Sequence, residues 1–250
     1  MPEALAAALA TPGLVWIIAT TVAAGAVYGF AGFGAALIFM PVATAFVPAQ
    51  LAISSMALIA LSSMVTVVPG AWRKADKGVV LTMVGVALCT IPLGVAVLRV
   101  ADPDMLRWAV IALAAATLAA LLSGWRRTGE DTVPARLAVA GASGFCGGAV
   151  GLNGPILVLF QLSGRMRVET MRANTIVFLS VTGLAVLPAM MLLGLFDAAA
   201  LALGLLLAVP YGAGTLLGRA LFDPARERLY RSVAYAVIGA AIVLGLPLWS

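Results

Sequence analysis

The chain contains no histidine. That removes the side chain that most often serves as general base near neutral pH and as a transition-metal ligand. No Ser–His pair is available, and the sequence offers no metal-ligand cluster, buried acid pair or nucleotide-binding loop, so an intramembrane enzyme is not expected. Charge is also scarce. Only 10% of the 250 residues are charged, and none lies between Pro12 and Trp72. Soluble domains carry about 25%. The two cysteines, Cys89 and Cys146, lie in apolar segments and read as small packing residues, so no disulfide is expected. Met1 to Leu14 holds Glu3 but no Lys or Arg, so the start lacks the basic region of a signal peptide.

What is there is apolar: 63% of the chain. Apolar segments run at 14–47, 51–71, 79–100, 105–123, 137–162, 173–195, 198–218 and 230–249. A span needs about 20 residues, so the fold class is an all-α polytopic membrane protein. The net charge of +5 sits in the loops and reports topology rather than nucleic-acid binding. The bilayer is the expected partner, and no cofactor is implied. Trp16, Trp72, Trp108, Trp125 and Trp249 stand near segment ends, as an aromatic belt would.

Two segments look broken. The first is too long for one straight crossing and carries Gly25, Gly29, Gly32 and Gly34, with Pro41 beyond. The fifth carries a glycine run from Gly141 to Gly154. Glycine costs about 1 kcal/mol in a helix interior and proline about 3. The fifth segment therefore reads as two half-helices, the second opening with Asn153 or Gly154 as N-cap and Pro155 at the first helical position. Such a break persists in a bilayer only when buried in protein or lining a wet cavity. A helix beginning there offers free N–H groups and a positive dipole end to an anion.

The broken segments repeat. A shift of 119 residues lays Gly25, Gly29, Gly32 and Gly34 on Gly144, Gly148, Gly151 and Asn153, Ser55 on Asn174, Pro69 on Pro188 and Gly85 on Gly204. Shifts of 120 and 121 lay Gly94 on Gly214, Arg99 on Arg219 and Asp102-Pro103 on Asp223-Pro224. The chain divides into a first repeat, 1–128, and a second, 129–250. Basic residues mark the cytoplasmic side. Placing the clusters around Arg73, Arg127, Arg167 and Arg226 inside puts thirteen of the fifteen Lys and Arg there. The halves are then inverted, each a broken re-entrant hairpin (14–47 or 137–162) followed by three transmembrane spans. Eight full crossings would strand Arg165, Arg167, Arg172 and the Arg219–Arg231 cluster outside. In the inverted arrangement both hairpin tips meet at mid-bilayer.

Gly29-Phe30-Ala31-Gly32-Phe33-Gly34-Ala35-Ala36-Leu37-Ile38-Phe39-Met40-Pro41, paired with Gly144 to Pro155 and with Arg172-Ala173-Asn174, resembles the TauE/SafE sulfite-exporter family along the whole chain. The resemblance implies a multi-pass carrier of the bacterial inner membrane for sulfite, sulfonates such as sulfoacetate or isethionate, or similar small sulfur-containing anions. The family's second motif usually reads Gly-Gly-Pro-Pro; here Asn153 and Ile156 replace its first glycine and second proline.

Since no ionisable residue lies deep in a segment, anion binding falls to backbone N–H groups and neutral side chains. The candidate substrate-binding residues are Gly32, Phe33, Gly34, Gly151, Leu152, Asn153, Gly154, Ser55, Asn174 and Thr175. Ser54, Ser143 and Gln161 are weaker candidates, Gln161 reading mainly as a snorkelling residue. Ser62, Ser63 and Thr182 read as packing residues, and Phe30 and Phe33 as packing residues that flank the first tip. Proton coupling usually uses an intramembrane ionisable group; with none visible, uniport or anion exchange is expected. A passive anion channel and an accessory membrane subunit without transport are the competing readings, and a homodimer is compatible with the apolar surface.

Overall fold

The computed structural model describes residues 2–124, 132–161, 167–221 and 227–246. Among them are twelve helices and no strand: α1 (Pro2–Leu9), α2 (Leu14–Ala31), α3 (Ala35–Phe46), α4 (Ala49–Thr66), α5 (Val68–Trp72), α6 (Lys77–Val100), α7 (Pro103–Leu122), α8 (Val133–Val150), α9 (Pro155–Gln161), α10 (Val168–Leu192), α11 (Ala198–Ala220) and α12 (Glu227–Gly245). Seven of these, α2, α4, α6, α7, α8, α10 and α11, are long and apolar enough to cross a membrane, while α3 and the stretch Tyr230–Gly245 are shorter. Their outer faces carry exposed Leu81, Leu88, Val100, Leu192, Val209 and Leu217, the surface lipid demands. Trp16 and Trp108 are exposed near segment ends. Trp125, Arg126, Arg127, Arg165, Asp223-Pro224, Arg226 and Trp249 lie outside the described residues.

Both long segments break where glycine was expected to break them. Gly32, Gly34 and Gly151 all have left-handed φ, at 79°, 92° and 73°. Any other L-residue is strained there. Gly32 ends α2 and Gly34 opens α3; Gly151 ends α8. The first pair folds back as a hairpin, because Gly13, just before α2, lies against the ring of Phe46 at the end of α3. In the second, Gly154 lies against Leu179 while Gln161 accepts a hydrogen bond from Thr175, so α9 runs back toward the start of α10.

Glycines also set the helix directions. A methyl at Gly144 would meet the Ala87 carbonyl at 2.6 Å and one at Gly148 the Ile91 carbonyl at 2.4 Å, so α6 and α8 pack in parallel at backbone contact. Likewise Gly25 meets Tyr211 at 2.4 Å and Gly29 meets Thr215 at 2.3 Å, making α2 and α11 parallel. Small residues permit such close approach where lipid supplies no hydrophobic drive between helices. By the same contacts, α11 runs parallel to α4: Leu58 touches Gly204, and the Ser62 hydroxyl donates to the Ala208 carbonyl. In contrast, α4 and α10 are antiparallel, with Ala60 on Gly183 and Ser54 on Met190.

Three features depart from the sequence reading. The segment at 51–71 is not one rod: it turns at Val67 into α5, where Pro69 removes a helical N–H. The alanine-rich helix α1, which packs on α11, was not anticipated. Cys89 is exposed rather than packed.

Candidate functional site

The two breaks converge on the middle of α10. Gly32 faces Ile176, Gly154 faces Leu179, and Asn153 faces Gly183. Between the breaks lies a cavity of about 50 Å³. The first break supplies Phe33, Gly34 and the first turn of α3; the second supplies Gly151, Asn153, Gly154 and Pro155. In that first turn Ala35, Ala36 and Leu37 have no carbonyl one turn back to accept from their N–H groups, and the first α3 ladder bond is from Ile38 to Gly34 at 3.1 Å. The positive end of α3 therefore meets the cavity.

Asn153 does not cap α9. Its amide reaches across to α10, donating to the Leu179 carbonyl at 3.2 Å and the Thr182 hydroxyl at 3.0 Å. Thr182, read from sequence as packing, is thus part of the second break's anchor. Pro155 stands at the first position of α9, as expected. Other cavity residues were not anticipated. Tyr28, Tyr211, Ser63 and Ser180 line it as well. The Tyr28 hydroxyl donates to the Ile176 carbonyl at 3.1 Å and lies 2.9 Å from Ser180 Oγ, and the two tyrosine rings are 6.2 Å apart. A tyrosine inside an apolar segment signals a buried partner for its hydroxyl, which was the clue available.

The remaining sequence candidates fall elsewhere. Gly32 and Leu152 form the breaks without lining the cavity, and Leu152 is fully buried. Ser55 is buried, with no hydrogen-bond partner for its hydroxyl, and lines neither cavity; Ser143 is in the same state. Ser54 donates to Gln50 and to Met190. Asn174 accepts from the Asp76 backbone N–H at 2.8 Å, tying the starts of α6 and α10 together. Thr175 bonds Gln161 rather than the cavity, and Gln161 is therefore not merely snorkelling.

Beyond Phe33, which lines both spaces, opens a vestibule of about 680 Å³. Lys74, Arg172, Arg219 and Arg231 line it, with Glu169 bound to Lys74 at 2.6 Å. The expectation that no ionised side chain reaches the breaks is corrected here. Arg172 is mostly buried and donates to the Gly29 carbonyl at 2.7 Å, at the negative end of α2. Against Gly151 pack Met40 and Ile53, which with Leu152 are each at most 2% exposed.

Among the described residues no group of three or more His, Cys, Asp or Glu is placed to hold a metal. Neither the curated proteins nor the solved structures contain a match to the chain. A family model does match. The model of the sulfite exporter TauE/SafE covers residues 17–245, from the start of α2 to the end of α12, and so includes both breaks and the cavity between them. On that match the chain belongs to the TauE/SafE family, whose members are membrane transporters rather than enzymes.

Proposed function

We propose that the protein is a secondary transporter of small sulfur-containing anions, working by alternating access to the cavity between the two helix breaks. The observation that carries this reading is that cavity itself: two stretches of chain far apart in sequence, each broken at left-handed glycine, line one space. One water needs about 10–15 Å³ of such volume, so about 50 Å³ suits an ion of sulfite's four heavy atoms. Sulfite fits better than sulfoacetate or isethionate. The N–H groups at the start of α3 are the groups that would bind it, since the Asn153 amide already donates to Leu179 and Thr182 and the Tyr28 hydroxyl to Ile176.

The two repeats, 1–128 and 129–250, are inverted in this reading. The opposed directions of α4 and α10 support it, as do their equivalent residues: Gly32 packs on Arg172, Gly151 on Ile53, and 53 and 172 differ by the same 119 as the glycines. Packing matches Gly94 with Gly218, each set on a broken helix's carbonyl, one turn beyond the Gly214 suggested by sequence. The Lys74–Glu169 contact puts the end of α5 and the start of α10 at one mouth, against eight full crossings. By the positive-inside rule that mouth is cytoplasmic, in the inner membrane of a bacterium. The vestibule is then the open inner face, Phe33 the inner gate, and Met40, Ile53 and Leu152 the closed outer one.

Among the described residues no carboxylate lines the cavity, so exchange or uniport follows, not proton symport. Saturable counterflow distinguishes this from a channel, whose gates open together. The test is flux into proteoliposomes with sulfite, sulfate, sulfoacetate, isethionate and taurine. Saturable, trans-stimulated sulfite flux is expected; flux that never saturates, or no response to any of the five, overturns the proposal.

A further inference from the structure

The walls of the small cavity carry no charge. They come from α2, α3, α4, α8, α9, α10 and α11 and from the two breaks. The charged residues of those helices are Arg136, Glu169, Arg172 and Arg219, and none of them is among the described residues that line the cavity. Nor is any charged residue of α6, α7 or α12, which pack around them. Tyr28 and Tyr211 are the only titratable side chains among those lining residues. A tyrosine ordinarily holds its proton until about pH 10, so the wall stays neutral around pH 7. Taking an ion out of water costs energy as the square of its charge, so two charges cost about four times one. Against that cost stands the positive end of α3, roughly half an elementary charge. It offsets part of one negative charge and little of two.

Sulfite titrates near neutrality between a dianion and the singly charged hydrogensulfite, which carries a proton. The cavity has an acceptor for that proton. Tyr28 has one hydroxyl proton, and it goes to the Ile176 carbonyl at 3.1 Å. The 2.9 Å bond between Tyr28 and Ser180 is then donated by Ser180. Ser180 Oγ keeps its lone pairs, and Ser180, only 2% exposed, lines the cavity. We propose that the ion taken into the cavity is hydrogensulfite in its oxygen-protonated form and that the dianion is excluded. The N–H groups of α3 donate to its oxygens, and Ser180 Oγ accepts its proton. The proton crosses on the ion, so the wall needs no carboxylate to move it. This inference rests on the carrier reading above.

The experiment is initial sulfite flux into proteoliposomes from about pH 6 to pH 8, equal on both sides, after subtraction of protein-free liposomes. KM written as total sulfite is expected to rise with pH, approaching tenfold per unit on the alkaline side. KM written as hydrogensulfite should stay within twofold. Selenite, of the same pyramidal shape, holds its second proton to higher pH, so its inhibition of sulfite flux should persist to correspondingly higher pH. Ser180→Ala should raise KM for hydrogensulfite at least fivefold, while inhibition by nitrate, a monoanion with no proton to give, stays within twofold. A KM for total sulfite that is flat or falls with pH overturns the proposal. So do sulfite and selenite profiles that turn at the same pH, which would report a titrating group of the protein. Ser180→Ala with unchanged KM removes the proposed acceptor. Absence of saturable flux at every pH is failure of the carrier reading; saturable flux with the wrong pH dependence is failure of this inference alone.

Discussion

The two helix breaks do the same geometric job with different parts. The first uses two left-handed glycines, Gly32 and Gly34, and its α2 end is held by a charged side chain, Arg172. The second uses one, Gly151, and is held by a neutral amide, Asn153. Where Arg172 touches Gly32, the equivalent residue touching Gly151 is Ile53. The first break thus faces a polar, open mouth, and the second a closed apolar one. On the repeat reading proposed above, a duplicated backbone device has become sided through a few side chains.

The largest effect should come from filling a left-handed position. A side chain at Gly151 would sit 2.9 Å from Met40 Sδ and 3.1 Å from Ile53. Left-handed backbone costs about 1–2 kcal/mol for other residues, and overpacking about 1–3. From sequence, Gly151→Leu and Gly32→Leu should abolish transport and leave expression largely intact. The packing sharpens this: Gly151→Leu should also lower the melting temperature, because Met40 and Ile53 have nowhere to go. A variant with wild-type flux and melting would mean that the second break is not needed.

Next comes Arg172, the point of greatest contrast between the breaks. Arg172→Gln removes a charge-assisted bond to Gly29, of the kind worth about 1.5–3 kcal/mol, and frees the end of α2. Flux should fall at least tenfold, with Arg172→Lys intermediate. The matching change at the other break, Ile53→Val, should leave flux within about twofold. Equal losses at the two positions would erase the asymmetry.

These contrasts also mark what the sequence could disclose. The breaks were legible because glycine and proline inside an apolar segment have one physical meaning, and the 119-residue offset repeated it. Gly34, Asn153, Gly154 and Phe33 do meet at the cavity. Ser55 and Asn174, paired by the 119-residue shift, are each the seventh residue of their helices, yet neither lines the cavity. Sequence position fixes depth along a helix but not the face, and a helix hydrophobic all round hides its face. Arg172 escaped the depth argument for another reason. A long side chain reaches well beyond its own Cα, so a residue near a span's beginning can act at the break. Tyr28, Tyr211 and Ser180 were missed because their partners are distant in sequence, such as Ile176 for Tyr28.

Asn153→Ala tests the neutral anchor. Its two bonds go to groups already engaged within α10, since Thr182 itself donates to the Phe178 carbonyl at 2.7 Å. Interhelical bonds of this kind in membranes average about 0.6 kcal/mol. Stability should fall by only about 1 kcal/mol, while KM for sulfite rises severalfold as the second tip loosens. A large loss of folding with unchanged KM would make Asn153 a structural tie alone.

Gly154→Ala should have the smallest effect on the fold and the clearest reading. Gly154 is not among the positive-φ glycines, and an added methyl would meet Leu179 at 3.6 Å, an ordinary contact. Neither strain nor overpacking applies, so melting should stay within the ±0.5 kcal/mol of neutral substitutions. Yet Gly154 and Leu179 both line the 50 Å³ cavity, which has little room for a further carbon. If the anion sits there, KM rises for sulfite and rises more for any larger substrate, with folding unchanged. If neither KM moves, the second break positions helices only, and the ion binds nearer the first turn of α3.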